Sequence, residues 1–274
     1  MVRKQRTYSG TPSQEVSPRE LKNRGISRAA AAEGMVLMKN EGILPLSSEK
    51  TVSIYGNGVS HMIKGGTGSG DVNEREVVSV QEGLDQAGIC LINKENALSA
   101  PKKRTADQLA WRDHILELLK NVSAGSGMEF FRIMRENPFV EGEYNPLIEE
   151  DVKRSDIVIY IISRIAGEGR DRFNKPGDYE LSEQEKEELN TLSVWNENIV
   201  VLINTGGQID LTDILSNSSV KAILYMSQGG MEAGNAVADV LTGKVVPSGK
   251  LTSTWSKNYS DFPSSATFSI DRFL

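Results

Sequence analysis

The strongest constraint on the fold is a run of apolar, strand-forming residues in the second half of the chain. The segment SDIVIYII at 155–162 does not alternate polar with apolar positions, so a strand formed there must be covered on both faces. Two similar runs follow, IVVLIN at 199–204 and VKAILYM at 220–226. Strands buried on both faces are typical of parallel sheets between layers of helices. The sequence therefore predicts such a sheet.

Helical patterns separate the strand candidates. Ser182 and Glu185 have the spacing of a capping box that opens a helix reaching about Glu197. Nearer the N-terminus, TVSIY at 51–55 is rich in strand-forming residues and SVQEGLDQAG at 79–88 is helical in pattern. Strands that alternate with helices favour right-handed crossovers and a largely parallel sheet. The predicted fold class is α/β, with one domain at residues 27–274.

Other elements are predicted from weaker signals. Residues 1–26 are polar and contain prolines, which indicates an N-terminal arm or linker. Alanine, leucine and methionine favour a helix from about Ser27 to Asn40. A capping box at Thr105 and Gln108 predicts a helix start, and KLTSTW at 250–255 is a candidate last strand.

The charge and cysteine content narrow the class of protein. A formal charge of −6 and a pI near 5.2 argue against nucleic acid or an anionic membrane as the main partner. The single cysteine, Cys90, excludes a disulfide within the chain, and its apolar surroundings predict a buried thiol. No signal peptide is apparent, and the apolar run Ile157–Ile162 is too short to cross a bilayer. We expect a cytoplasmic protein.

Ligands of open parallel sheets bind beyond the carboxyl ends of the strands. The segments that follow the predicted strands there are glycine-rich and polar: GNGVSHMIKGGTGSGD at 56–71, SRIAGEGRDRFNKPGD at 163–178, TGGQID at 205–210 and SQGGMEAG at 227–234. These segments are the candidates for a site.

Several chemistries lack the residues that they require. In GGTGSG at 65–70 the last glycine is followed by Asp71 and not by Lys-Ser or Lys-Thr, so the segment is not a phosphate-binding P-loop. A flexible turn, or a loop whose backbone approaches a ligand closely, fits it better. His61 and His114 are far apart in sequence, and neither has the spacing of a metal site or a nucleophilic triad. No metal and no cofactor are expected.

Glu168 is the remaining candidate for chemistry. It lies between Gly167 and Gly169, with Arg164, Arg170 and Arg172 nearby. Taken alone, such a segment is either a surface turn with weak ion pairs or half of an active site. Its position after the most apolar strand favours the second interpretation.

Six segments, in order along the chain, resemble the second domain of glycoside hydrolase family 3, the β-glucosidases and their relatives. The resemblance extends over roughly residues 28–268. The segments are MVLMKNEGILPL at 35–46, KGGTGSGDV at 64–72, SRIAGEGRDR at 163–172, GDYELSEQE at 177–185, VVLINTGGQID at 200–210 and GGMEAGNAVADVLTGKVVPSGKLTSTW at 229–255.

The resemblance implies a six-stranded (α/β)6 sandwich that packs against a (β/α)8 barrel, with the active site between the two domains. It implies that Glu168 is the general acid/base of a retaining β-glycosidase acting on terminal β-linked sugars, while an aspartate of the barrel is the nucleophile. It also implies a substrate-binding loop of Lys64, Gly65, Gly66, Thr67, Gly68 and Ser69. Arg172 is a further substrate-binding candidate. An acid needs a raised pKa, so we expect Arg172 to turn away from Glu168.

The resemblance also has limits. No segment corresponds to a barrel, so we expect the barrel to be supplied in cis or in trans and the isolated chain to be inactive. The chain ends earlier than is usual for the family, so we expect a domain that lacks an edge element, or a fragment. Its N-terminal start suits a sandwich-first domain order. The exposed face predicts a homodimer as a further partner. The alternative functions are a non-catalytic carbohydrate-binding or protein-interaction domain and a nucleotide-binding regulator.

Overall fold

The computed structural model describes residues 15–66, 70, 72, 74–120, 122, 127–165 and 172–265. A six-stranded sheet lies at its centre, with the strands in the order first, sixth, fifth, fourth, second, third. All neighbouring strands are parallel except the first, which pairs antiparallel with the sixth. The strands are β1 (Val36–Asn40), β2 (Thr51–Tyr55), β3 (Cys90–Leu91), β4 (Ile157–Arg164), β5 (Ile199–Thr205) and β6 (Val220–Tyr225).

Helices cover both faces of the sheet. In chain order they are α1 (Pro18–Gly34), α2 (Asn57–Ser60), α3 (Val80–Gln86), α4 (Lys94–Leu119), α5 (Gly127–Glu136), α6 (Glu149–Arg154), α7 (Glu183–Trp195), α8 (Thr212–Ser216) and α9 (Ala233–Leu241). Apolar residues of α1, α3, α4 and α9 form one core with the sheet, and those of α6, α7 and α8 form the other. None of the described helices is both long and apolar enough to cross a membrane.

Strand β4 shows why the sheet is central. All eight of its residues are buried. Ile157, Ile159 and Ile161 belong to the core on the α3 and α9 side, while Val158, Tyr160 and Ile162 belong to the core on the α7 side. The apolar run therefore lines two cores at once, as the sequence predicts, and the predicted α/β sandwich is confirmed.

The first strand and first helix differ from the prediction. A capping box at Ser17 starts α1 at Pro18, nine positions before the predicted start, so residues 18–26 belong to the helix and not to an arm. The helix ends at Gly34, and Val36–Asn40 forms β1 beside β6. The strand expected at 250–255 does not form, and β1 at 36–40 completes the six-stranded sheet.

Two further expectations are wrong. Thr105 does not begin a helix: α4 starts at Lys94, and the Thr105 hydroxyl donates to the carbonyl of Pro101 at 2.8 Å within the helix. Cys90 is exposed and not buried, because it lies on the two-residue edge strand β3 and its side chain faces out of the core. The predicted capping box at Ser182 and Glu185 is confirmed as the start of α7.

Candidate functional site

The predicted site lies at the point in the sheet where the order of the strands reverses. Strands β2 and β4 are neighbours, but the strand that follows β2 lies on one side of this pair and the strand that follows β4 lies on the other. The two loops therefore leave the carboxyl edge in opposite directions and open a crevice between them, the usual ligand position in such sheets. Gly56 enters this crevice with a φ of 93°, and a Cβ there would meet the carbonyl oxygen of Ile161 at 2.3 Å.

Asn204, at the end of β5, connects the two loops. Its side chain is fully buried, and its Oδ1 accepts from the amide of Ile63 at 2.6 Å and from the hydroxyl of Ser163 at 2.9 Å. Its Nδ2 donates to the carbonyls of Ile63 at 2.9 Å and Ser227 at 2.6 Å. Ile63 directly precedes Lys64, and Ser163 begins the segment that carries Glu168. One amide therefore fixes the starting points of both predicted loops.

Arg164 fixes the second loop at both ends. Its guanidinium donates to Glu185 in the first turn of α7 at 2.7 and 2.5 Å, and each side chain is only 6% exposed. The same group donates to the carbonyl of Asp178 at 3.0 Å. Asn57 extends the network, accepting from the Ser163 amide at 2.8 Å and donating to Glu185 at 3.3 Å. The ends of the loop that follows β4 are thus held by buried charge-assisted bonds.

Three of the predicted substrate-binding residues lie together. A cleft of about 460 Å³ is lined by a set that includes Lys64, Gly65, Gly66, Glu74, Arg104 and Ile165. We refer to it as the Lys64 cleft. The Lys64 ammonium donates to the carbonyl of Val72 at 2.7 Å and pairs with Glu74. A Cβ on Gly66 would meet no described atom within 4 Å.

Arg172 lies apart from the Lys64 cleft. Its guanidinium donates to the Asp178 carboxylate at 2.8 Å and to the carbonyl of Gln208 at 2.6 Å. It is not among the described residues that line the cleft. Through these contacts Arg172 joins the loops after β4 and β5. Its predicted contact with substrate stays a prediction.

Helix α1 supports the loop after β2 from outside the sheet. Arg24 pairs with Glu76 at 2.5 Å and with Glu232 at 2.6 Å, and Glu20 pairs with Arg75 at 3.0 Å. Arg75 and Glu76 follow the glycine-rich segment directly. The loop is therefore tied to α1 on one side and to Asn204 on the other.

His61 separates the Lys64 cleft from a second cleft and contributes to the walls of both. Burial, and secondarily the Arg104 cation, lower the pKa of His61 to about 4, against a weaker opposing effect of Glu141. The imidazole is therefore neutral near pH 7, able to donate or accept a hydrogen bond without adding charge.

Four of the predicted site residues, Thr67, Gly68, Ser69 and Glu168, lie outside the described residues. Sequence reasoning missed Asn57 and Asn204, since their contacts join segments 106 and 141 residues apart. Only their positions, just beyond β2 and at the end of β5, could have marked these two residues as part of the site. Within the ranges that the structure describes, no three histidine, cysteine or acidic side chains are placed to hold a metal ion.

Comparisons with known proteins agree on one family. The sequence profile of the glycosyl hydrolase family 3 C-terminal domain matches residues 35–272. A β-glucosidase of Ruminococcus albus is 35% identical over 242 residues, which are 86% of this chain and 23% of that protein. β-Glucosidase A of Butyrivibrio fibrisolvens is 30% identical over 90% of this chain and 30% of its own length.

Solved structures give the same result for the fold. β-Glucosidase 3B of Thermotoga neapolitana in complex with glucose superimposes with a TM-score of 0.70 at 32% identity, over 92% of this chain and 33% of that one. A β-glucosidase of Paenibacillus barengoltzii gives a TM-score of 0.69 at 33% identity, over 90% of this chain and 25% of that one. This chain thus spans a third or less of the relatives that it resembles.

Proposed function

The chain belongs to the glycosyl hydrolase family 3 C-terminal domain family, and on that premise we propose that it is the acid/base-bearing domain of a retaining β-glucosidase. The observation that carries this proposal is the shared anchor at Asn204. Ile63, which directly precedes the Lys64 segment, and Ser163, which begins the segment that contains Glu168, are both bonded to this one side chain. Two loops with a common origin can line a single substrate site.

In the proposed reaction, Glu168 acts twice. As a neutral acid it donates its proton to the glycosidic oxygen while a carboxylate of a second domain attacks the anomeric carbon. As a carboxylate it then removes a proton from the water that hydrolyses the glycosyl-enzyme. The two carboxyl groups must lie about 5–5.5 Å apart, which requires a (β/α)8 barrel in cis or in trans.

The positions of two arginines support an acid in this loop. A guanidinium directed at Glu168 would stabilise its carboxylate and lower its pKa. Arg164 is bonded to Glu185, and Arg172 is bonded to Asp178 and Gln208. Both cations are thus engaged elsewhere, which suits a carboxyl group that must hold a proton near pH 7.

A chimera tests the proposal. The chain would replace the matching domain of the Thermotoga neapolitana β-glucosidase 3B, and hydrolysis of an aryl β-glucoside would be measured with and without Glu168→Gln. Loss of the acid/base should lower kcat by about 10²–10⁴-fold, because the glycosyl-enzyme is then hydrolysed without a base. Azide should partly restore turnover in the variant, because azide attacks the glycosyl-enzyme without needing a base.

A matched control is Glu183→Gln, whose side chain is 81% exposed at the start of α7 and should leave turnover unchanged. The isolated chain should be inactive with or without the substitution. If Glu168→Gln leaves the chimera fully active, Glu168 is not the acid/base. If the folded chimera has no activity but the chain binds glucosides, the non-catalytic carbohydrate-binding alternative is favoured.

A further inference from the structure

The second cleft lies on the other side of His61 from the Lys64 cleft. It measures about 540 Å³, within the size range of small-molecule sites. We refer to it as the Tyr144 cleft. Its wall is formed by the loop before α6, the start of α7 and the residues just beyond β2. The lining residues used below are Asn57, His61, Tyr144, Asn145, Gln184 and Glu188.

Two buried polar atoms of this cleft have no partner in the described part of the chain. Asn145 donates through Nδ2 to the carbonyl of Ile54 at 2.8 Å, but its Oδ1 accepts no bond. The Tyr144 ring is only 7% exposed, and its hydroxyl makes no hydrogen bond of ordinary length and angle, although Gly142 and Asp107 lie near it. A buried polar group without a partner costs free energy, which a bound ligand can recover.

The charges around the cleft disfavour an anion. No lysine or arginine is among its described lining residues. The two nearest arginines are engaged by carboxylates: Arg164 by Glu185, and Arg104 by Glu141. A phosphate or a carboxylate would therefore find acidic side chains without a free cation to pair with.

The charges also give little support to a cation. Glu188 accepts from the Tyr160 hydroxyl at 2.6 Å and from Gln184 at 2.8 Å, so both carboxylate oxygens are already bonded. Burial raises the pKa of Glu188, which shows that charge is disfavoured there. His61 is neutral near pH 7 for the same reason. Of the other carboxylates in the lining, Glu141 and Glu185 are paired with Arg104 and Arg164, and Glu143 is exposed. The cavity therefore offers hydrogen-bond donors and acceptors, with most of its carboxylates already engaged.

We propose that the Tyr144 cleft binds a neutral polyhydroxy compound, a hexose unit, through Tyr144, Asn145 and Glu188. The polar lining and its two buried polar atoms without a partner among the described residues carry the inference, and the choice of a sugar among neutral polyols rests on the proposed function. This cleft lies across His61 from the Lys64 cleft, and Ser60 and His61 line both. Asn57 and Glu185 belong both to its lining and to the network that anchors the loop after β4. A sugar bound there therefore contacts the base of that loop.

The test is a titration of the purified chain with glucose and with cellobiose, followed by ¹⁵N–¹H NMR. Shifts should concentrate around residues 141–145 and 184–188. Tyr144→Phe removes a hydroxyl that makes no hydrogen bond of ordinary length and angle to the described residues, so it should keep the fold and weaken binding by about 2–10-fold, the equivalent of one lost hydrogen bond. Glu188→Gln should weaken binding to a similar extent.

A matched control separates the site from its surroundings. Tyr55→Phe also removes a buried hydroxyl without a partner among the described residues, but Tyr55 does not line the cleft, so binding should be unchanged. The chimera assay reports on Glu168, whereas the titration of the isolated chain reports on the residues around Tyr144. Failure of the catalytic proposal and failure of this one are therefore distinguishable.

Three results would overturn the inference. The first is the absence of shifts with either sugar at concentrations of tens of millimolar. The second is shifts that surround Lys64 in place of Tyr144, with equal affinity in Tyr144→Phe. The third is binding of spermidine in the cleft without binding of a sugar, which would make it a site for cations.

Discussion

Arg164 at the end of β4 and Glu185 in the first turn of α7 form a two-point ion pair, with nitrogen–oxygen distances of 2.7 and 2.5 Å. Each side chain is 6% exposed. Arg164 precedes the segment that contains Glu168 and Glu185 follows it, so the pair holds the two ends of that segment together. The positions of the two ends of this segment therefore depend on a buried charge pair.

Removing one partner of the Arg164–Glu185 pair should lower the free energy of unfolding substantially. Arg164→Met leaves the Glu185 carboxylate buried without its cation, and we expect a loss of about 3–5 kcal/mol in the free energy of unfolding. Urea denaturation measures it. The matched control is Lys153→Met, which breaks the exposed pair with Glu149 and should cost about 0.5 kcal/mol or less. Equal losses in the two variants would show that the Arg164 pair does not stabilise the fold.

Substitution of Asn204 should also destabilise the chain, in this case through the loss of hydrogen bonds to buried backbone groups. Asn204→Leu keeps a similar volume but leaves the amide and carbonyl of Ile63 and the carbonyl of Ser227 without their side-chain partner. Buried groups of this kind cost about 1–3 kcal/mol each, so the total loss should be at least about 3 kcal/mol. Hydrogen exchange should accelerate at Ile63. Asn190→Leu, at an exposed position of α7, serves as the control and should change neither quantity.

The sequence predicts the interior of the sheet better than its edge. Strands β4, β5 and β6 are long apolar runs because both of their faces are buried, so composition alone indicates them. VLMKN at 36–40 contains residues that also favour a helix, and it becomes a strand only because it pairs with β6. Local propensity is a weak signal where tertiary pairing decides the conformation.

In the candidate site, too, some features can be predicted from the sequence and others cannot. The loops at the carboxyl edge are predictable because parallel strands bring their ends together, and Lys64, Gly65 and Gly66 do lie around one cleft. The bonds of Asn204 to Ile63 join positions 141 residues apart, and no local spacing encodes them. The partner of Arg172 was within six residues, but which carboxylate it would choose depends on how the loop folds.

Replacing a helical glycine with alanine should change the free energy of unfolding in opposite directions at Gly83, where α3 packs closely on α9, and at Gly25 in α1. A Cβ on Gly83 would lie 2.2 Å from the carbonyl oxygen of Gly234, so Gly83→Ala must push the two helices apart. We expect a loss of at least about 2 kcal/mol in the free energy of unfolding. Gly25 is also inside a helix, but a Cβ there would meet nothing within 4 Å.

Gly25→Ala should therefore stabilise the chain by about 0.5–1 kcal/mol, because alanine loses less backbone entropy in a helix. Thermal and urea unfolding of both variants measure the difference. A Gly83→Ala variant as stable as the Gly25→Ala variant would mean that α3 and α9 are not in backbone contact.

The neutral His61 makes stability depend on pH in a defined direction. The pKa of His61 is about 4 in the folded chain against 6.5 for the free side chain, because burial and then Arg104 disfavour its charged form. Between these values the unfolded chain binds a proton that the folded chain does not, so stability falls as the pH falls from about 6.5 towards 4. Its side chain is 40% exposed, so solvent reduces the size of this effect.

His61→Gln removes the titrating group, and its free energy of unfolding should vary less with pH than that of the unaltered chain over that window. The carboxylates that contribute to acid unfolding titrate mostly below it, so the upper part of the window, above about pH 5, isolates His61 best. NMR of the imidazole, assigned by the resonance that His61→Gln removes, gives the midpoint directly. A midpoint at or above 6.5 would show that burial does not lower the pKa of His61, and it would contradict the predicted pH dependence.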